Sequence, residues 1–502
     1  MTTDKPELAT APAYAQIRDA ASSLLLGDSL KARVLRGGAW LGSGSVAEQA
    51  ARFGRNMILT RLLAPEAFGT MAIVLATTSV LQSFTDIGVR EGLVQNPRGG
   101  EDHYVNAAWW LGIGRALSLA AVLFAVAPLV AVFYANAGLT ALLRFSTLGV
   151  VLAGASSPRA HVAMKEMKFG RLTAIGTFGG IFGVALTLIL SFTMRNVWAL
   201  VIGSCAESAA RCLLSFVLCP CLPSPGWDKE AARDLLRFSR GLFGLSFLNL
   251  IFARADIFVL AKLFSPAALG LYTMATYLVV TPTSFIMNTL GQTLLPAFSQ
   301  IQDHPERTNR IVIRVTSLVA LLGLPALAFI FLCGRSLLTL TYGPKYSAAA
   351  VPLMIAGCVA LFNIANGLLT VVFYSLGLPN LHRRSVVIAA VIVAVLVYPL
   401  SKWTGPAGGQ LACLIAIACG FLFQLARTRR LTGLNLSQYA ATLVLPALIS
   451  FSMLAICLAI SSFARLVSPI SNMILGFTGC ALAYSFILLR FYNRNQKMGV
   501  AP

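Results

Sequence analysis

The chain has 502 residues, 57% hydrophobic and only 11% charged, with a net charge of +21 and a mean hydropathy of +0.78. That apolar excess excludes an ordinary soluble domain and fits a polytopic membrane protein. Nucleic acid is a poor partner for the positive charge, because the basic residues lie between apolar runs rather than on one domain, where they read as topology signals.

The first 36 residues mix Lys, Arg, Asp and Glu and hold no long apolar core. They read as a cytoplasmic N-terminal segment rather than a cleavable signal peptide. Apolar runs long enough to cross a bilayer, about 20 residues, then follow. They lie at 38–60, 68–85, 105–132, 139–158, 173–193, 197–219, 241–261, 268–295, 313–334, 349–373, 385–401, 406–426, 438–462 and 470–489. The predicted fold class is therefore an all-α polytopic membrane protein with 14 transmembrane helices. With both termini in the cytoplasm, 26 of the 39 Lys and Arg fall in cytoplasmic tails and loops. Seven face outward (Arg61, Arg195, Lys262, Arg335, Lys345, Lys402 and Arg465) and six lie inside spans. This bias supports the orientation, and an odd number of spans scrambles it. The outward loops are short and leave no room for a soluble domain.

The first span carries an unusual stripe in SGSVAEQAARFGRNMILTRLLAPEAFG, which begins at Ser43. At helical spacing Ser45, Glu48, Gln49, Arg52, Arg55 and Asn56 share an arc of about 120°. A charge at mid-bilayer costs about 3 kcal/mol on insertion scales, so this stripe must face a watery cavity. Pairing of Glu48 with Arg52 at i,i+4 leaves Arg55 uncompensated. Arg115 lies near the middle of span 3, whereas Arg144 sits only a few residues inside span 4 and can snorkel. In span 6, Glu207 and Arg211 are also i,i+4 and can neutralise each other. Span 7 places Asn249 and Asp256 on one face and Arg254 roughly opposite. Six embedded arginines thus stand against three embedded acids, Glu48, Glu207 and Asp256. The arginine fork suits phosphate, so the cavity expects an anionic substrate.

The linker at 220–240, PCLPSPGWDKEAARDLLRFSR, opens rich in proline. Lys229, Arg233, Arg237 and Arg240 then form a basic helical face suited to anionic lipid on the inner leaflet. In the later half the polar stripes are uncharged. Thr281, Ser284, Asn288 and Gln292 share one face of span 8, and Asn363, Asn366 and Thr370 share one face of span 10. Such groups suit sugar hydroxyls, although interhelical hydrogen bonding is their commoner use. The candidate substrate-binding residues are Glu48, Arg52, Arg55, Arg115, Arg211, Asn249, Arg254, Asp256, Asn288, Gln292, Asn363 and Asn366. His103, His161, His304 and His382 fall in expected cytoplasmic loops, which argues against a histidine relay. Cys219 and Cys221 form a lone C-P-C without a nearby histidine, weak ground for a metal site. No Walker motif is present, so ATP is not the direct energy source. No cofactor or catalytic residue is expected.

A shift of 201 residues aligns Ile58–Pro65, ILTRLLAP, with Val259–Pro266, VLAKLFSP. Gly69 then meets Gly270 and Phe84 meets Phe285. Any tight hairpin between spans favours Pro and Gly, but the matching base and apolar register point to duplication. Six spans separate the copies, so both lie the same way round. The chain is expected to divide into an N-terminal segment (1–36), a six-helix lobe (37–219), the amphipathic linker (220–240), a second six-helix lobe (241–428) and two C-terminal helices with a cytoplasmic tail (429–502). The lobes should be pseudo-symmetric about the membrane normal.

The segments TRLLAPEAFGTMAIV (60–74), TDIGVREGLVQ (85–95), RADIFVLAKLFSPAALGLYTMATYL (254–278) and LLPAFSQIQ (294–302) carry a family resemblance. They resemble the Wzx-type polysaccharide transporter family of the multidrug/oligosaccharidyl-lipid/polysaccharide exporter superfamily. The similarity is greatest to its fourteen-span exopolysaccharide branch, of which succinoglycan exporters are an example. The resemblance implies a flippase in the bacterial inner membrane that exports undecaprenyl-diphosphate-linked oligosaccharide for exopolysaccharide, capsule or O-antigen synthesis. Membrane lipids, the polysaccharide polymerase and the export machinery are its implied partners. A multidrug or cation antiporter of the same superfamily is the alternative, disfavoured by the arginine excess. A membrane polymerase or ligase is expected to show a large outward catalytic loop, which this sequence lacks.

Overall fold

The computed structural model describes residues 30–84, 88–226, 228–239, 245–463, 470–471, 473–482 and 484–485. Apart from turns and one 3-10 segment (Pro344–Ala349), they form α-helices, with no strand among the described residues. In chain order the helices are α1 (Leu30–Leu62), α2 (Pro65–Phe84), α3 (Val89–Gln95), α4 (Asp102–Phe133), α5 (Gly138–Ala155), α6 (Arg159–Lys165), α7 (Phe169–Met194), α8 (Val197–Leu218) and α9 (Lys229–Ser239). They continue with α10 (Leu245–Leu263), α11 (Pro266–Ser299), α12 (Pro305–Tyr342), α13 (Ala350–Ser375), α14 (Pro379–Thr404), α15 (Ala407–Thr432), α16 (Leu436–Phe463) and the short α17 (Met473–Leu482). Ten of them are long and apolar enough to cross a membrane. Helix α10 is not among the ten, since its 19 residues hold Arg254, Asp256 and Lys262.

Local chemistry explains the boundaries. Ser265 caps α11 by accepting from the Ala268 N–H at 3.3 Å, with Pro266 in the first turn, where its missing donor costs nothing. Asn196 caps α8 in the same way through Trp198. Helix α15 ends at Gly433, whose φ of +69° is left-handed, the usual glycine stop. The long apolar run of span 8 is one continuous helix through Pro282. Helix α1 begins eight residues before the expected start of span 1, and α15 runs past the expected lobe boundary at 428.

The basic linker helix forms as α9, but its apolar face is already used. Ala231, Ala232 and Leu235 pack on Leu93, Tyr104, Ala107 and Ala108 of α3 and α4, and the Tyr104 hydroxyl donates to Asp234 at 2.9 Å. The helix is docked on protein rather than laid on lipid by that face.

The helices of the first and second halves meet where α2 packs against α10 and α11. Leu59, Leu63 and Phe68 share a buried apolar cluster with Met274, Ala275, Leu338 and Tyr342. A second cluster joins Ile73, Leu139 and Leu143 to Ile257, Leu260 and Tyr272. The closest approach is reciprocal. A Cβ on Gly69 would lie 1.9 Å from the Pro266 carbonyl oxygen, and one on Gly270 would lie 1.8 Å from that of Pro65. Two further residues at the same 201-residue spacing also reach across. Arg61 Nη2 donates to the Leu340 carbonyl at 2.9 Å, and Lys262 Nζ donates to that of Phe133 at 2.5 Å. Farther along α11 the packing thins, and Pro282, Ser284, Phe285, Ile286, Asn288 and Thr289 are all exposed. The helix halves are therefore joined at the end bearing the Pro65 and Pro266 turns.

Candidate functional site

The charged stripe of α1 meets its counterpart on α8 across α7. Glu48 and Arg52 project from one turn of α1, and Glu207 and Arg211 from one turn of α8. Arg52 Nη2 lies 2.9 Å from Glu48 Oε1 and 2.5 Å from Glu207 Oε1. Arg211 Nη2 lies 2.7 Å from Glu48 Oε1 and 3.0 Å from Glu207 Oε1. The result is a closed ring of two cations and two anions, each group bonded to both opposite charges. Helix α7 makes room for it by having no side chains there. A Cβ on Gly180 would lie 3.0 Å from Glu48 side-chain carbons, and one on Gly183 would lie 2.5 Å from Glu207 Cβ.

The ring revises the charge count read from the sequence. Arg52 and Arg211 are not spare phosphate donors, because two carboxylates already hold them. Arg55, one turn farther on, is different. It shares only the Asn56 Oδ1 at 3.3 Å, and no carboxylate lies within ion-pair range of it among the described residues. Arg52, Tyr277 of α11 and Glu207 are its electrostatic neighbours. Arg55 therefore presents an uncompensated guanidinium, half-buried.

The other predicted residues scatter. Arg144 lies on the exterior with its guanidinium 4.3 Å from the Phe124 ring centroid, a cation–π contact, so it is not a cavity residue. Arg115 is half-buried and already has an interaction partner. Arg254 is half-buried and makes no ion pair with Asp256. Asp256 is buried on α10, where it accepts from the Tyr272 hydroxyl at 2.5 Å and the Ile257 N–H at 2.8 Å. Gln410 Nε2 of α15 donates to the same Tyr272 oxygen at 2.8 Å. The Asn249 side chain lies outside the described residues. Asn288 and Asn363 line a common cavity. Gln292 is exposed, and the buried Asn366 Oδ1 has no hydrogen-bond partner among the described residues.

Most hydroxyls of the uncharged stripe are spent locally. Thr281 and Ser284 donate to carbonyls four residues back, at 3.0 and 2.9 Å, the usual habit of helical Ser and Thr. Thr370 meets His382 Nδ1 at 3.0 Å and Gln424 at 3.4 Å. His382 lies in the first turn of α14, and His103 and His161 also lie in helices. Burial pushes the Cys221 thiol up, with Arg159 acting in the opposite direction, which makes it a poor thiolate ligand.

Sequence reasoning missed the bridging of α1 to α8, and it missed Tyr272, Gln410 and Gln424. Their only sequence signal is a polar side chain in an apolar run. If the ring is a structural clamp, Glu207→Gln should lower the melting temperature of the purified protein by a few degrees. A lost charge-assisted hydrogen bond costs about 1–3 kcal/mol, and these side chains keep some solvent. An unchanged melting curve would remove the ring from the account of stability.

Residues 58–351 match the sequence model of a family described as polysaccharide biosynthesis protein. The chain belongs to the Wzx-type polysaccharide transporter family. Among its relatives is the lipopolysaccharide biosynthesis protein WzxC of Escherichia coli K12, 22% identical over 451 residues that cover 86% of this chain and 88% of WzxC. The teichuronic acid biosynthesis protein TuaB of Bacillus subtilis 168 is 24% identical, covering 84% of this chain and 87% of TuaB. The succinoglycan biosynthesis transport protein ExoT of Rhizobium meliloti 1021 is 22% identical over 65% of each chain. In fold, the chain is similar to the lipid II flippase MurJ in an inward closed conformation, with a TM-score of 0.73 at 11% identity over 90% of this chain and 99% of MurJ. An inward-facing multidrug transporter of the MATE family matches at a TM-score of 0.51 and 12% identity, over 83% of this chain and 98% of that one. The protein is thus a multi-pass membrane transporter of polysaccharide biosynthesis.

Proposed function

We propose that the chain is a flippase that moves undecaprenyl-diphosphate-linked oligosaccharide units from the cytoplasmic to the periplasmic leaflet of the bacterial inner membrane. Two six-helix lobes (37–219 and 241–428), with two C-terminal helices appended, rock about the Gly69–Gly270 contact to expose the site alternately. Both termini lie in the cytoplasm. The observation that carries this reading is Arg55. It is a guanidinium between the helix halves with no carboxylate of its own, next to a ring in which every other charge is cancelled. Even a half-buried cation left unpaired carries a desolvation cost that a ligand's counter-charge offsets, and a diphosphate does so with geometry that matches the arginine fork. A cationic drug in the same place would meet repulsion instead. WzxC, TuaB and ExoT support the polysaccharide side of the reading, and MurJ supports a flippase fold.

Deletion of the gene followed by lipid extraction tests it. Undecaprenyl-diphosphate-linked repeat units should accumulate while surface polysaccharide is lost. Loss of polysaccharide without any lipid-linked intermediate would place the protein elsewhere in the process.

The driving force follows from charge. The diphosphate carries about two negative charges, and each contributes about 2.3 kcal/mol per 100 mV when it crosses the whole field outward. Because the ring cancels itself, the embedded charges left are Arg55, Arg115 and Arg254 against Asp256, and net charge moves over a full cycle. Transport in vesicles is expected to track membrane potential more than a pH gradient. Undiminished transport after valinomycin and potassium collapse the potential at equal pH, with loss when only the pH gradient is collapsed, would establish obligatory proton coupling instead.

A further inference from the structure

A cavity of about 310 Å³ lies between α11, α13 and α15. That is near the lower end of small-molecule sites, about 300–1,000 Å³, and gives room for a single ring rather than an oligosaccharide or an isoprenoid chain. Its walls combine two kinds of group. Val279, Val280, Val359 and Ala360 offer an apolar surface, and Asn288, Asn363 and Gln410 offer amides. The amides of Asn288 and Asn363 have no hydrogen-bond partner among the described residues, whereas the Thr283 and Ser284 hydroxyls are donated to their own helix. No charged side chain lines the cavity among the described residues.

The Gln410 amide is oriented from behind. The Tyr272 hydroxyl gives its proton to Asp256, so its oxygen can only accept, and Gln410 Nε2 donates to it. The carbonyl oxygen of Gln410 is then the end left for the cavity. Three amides with acceptor and donor capacity above an apolar wall match a pyranose, which has an apolar C–H face and hydroxyls around its rim. A ring bearing a carboxylate or an ammonium would lose its hydration there without a counter-ion.

We propose that this cavity is a subsite for one neutral sugar ring of the transported oligosaccharide, read by Asn288, Asn363 and Gln410. Tyr272 and Asp256 are positioning residues for Gln410. The subsite rests on the lipid-linked oligosaccharide reading and adds to it a determinant of sugar identity separate from the diphosphate grip at Arg55.

The test is a binding titration of the full-length protein in nanodiscs with two probes. One is bare undecaprenyl diphosphate. The other is the lipid-linked repeat unit isolated from the deletion strain. Wild type should bind the sugar-bearing probe roughly tenfold more tightly, the difference that about 1.4 kcal/mol of added hydrogen bonding produces. Asn363→Ala and Gln410→Ala should each bring that ratio below about threefold, with affinity for the bare diphosphate unchanged. The exposed Asn288→Ala serves as a second variant that does not threaten the fold, and Tyr272→Phe should reduce the same ratio by releasing the Gln410 amide. Equal binding of both probes by wild type overturns the subsite and leaves the diphosphate reading standing. So does a full sugar preference retained by all four variants, or a loss of both probes in equal measure. Failure of wild type to bind either probe overturns the lipid-linked reading and the subsite with it.

Discussion

Arg55→Ala is expected to lower export of surface polysaccharide by roughly 30- to 150-fold with near-normal protein level. The range follows from losing a charge-assisted hydrogen bond to phosphate, about 2–3 kcal/mol. The melting temperature should hold or rise, because Arg55 has no carboxylate to leave behind. Arg55→Lys should rescue in part, since an ammonium keeps the charge and loses the fork. Arg52→Ala should behave differently, although both arginines lie on the same stripe. It strips Glu48 and Glu207 of a shared partner, so its first effect is on stability and protein level. Full export by Arg55→Ala, measured as polysaccharide per unit of membrane protein, would remove this residue from the site.

Gly69→Ala and Gly270→Ala should each reduce export several-fold or more, while two control glycines tolerate the same change. The added methyl meets a backbone carbonyl at 1.9 or 1.8 Å, and backbone cannot swing aside as a flexible side chain does. Overpacking costs about 1–3 kcal/mol. That lowers the population of the joined arrangement roughly 5- to 150-fold relative to an opened one. Gly54 on α1 and Gly291 on α11 have nothing within 4 Å of a built Cβ, so Gly54→Ala and Gly291→Ala should remain near wild type. The comparison separates local crowding from any general intolerance of alanine in these helices. Normal export by both Gly69→Ala and Gly270→Ala would mean that this crossing is not a contact the transport cycle needs.

The repeat shows how sequence and structure divide the work. ILTRLLAP and VLAKLFSP are legible as similar segments because the base, the proline and the later glycine recur at one spacing. That spacing does not say that Gly69 faces Pro266, or that Arg61 and Lys262 reach across to the other half. The hydroxyl stripe on α11 was equally plain, but its hydroxyls turned out to be satisfied by their own helix, which leaves the amides as the open groups.

The sequence by itself determined the membrane class, the positions of nearly all the long helices and the charged face of α1. These depend on composition and on a 3.6-residue period, and both are local. Only the tertiary structure decided which charges cancel. Arg52 and Glu207 are 155 residues apart, and Gln410 and Tyr272 are 138. A helical period fixes which residues share a face, but not how each helix is rotated and tilted against its neighbours. Those angles are set by ridge-and-groove packing and by small residues such as Gly180 and Gly183. A charge that is spare on one helix therefore becomes half of an ion pair only when the next helix is in place.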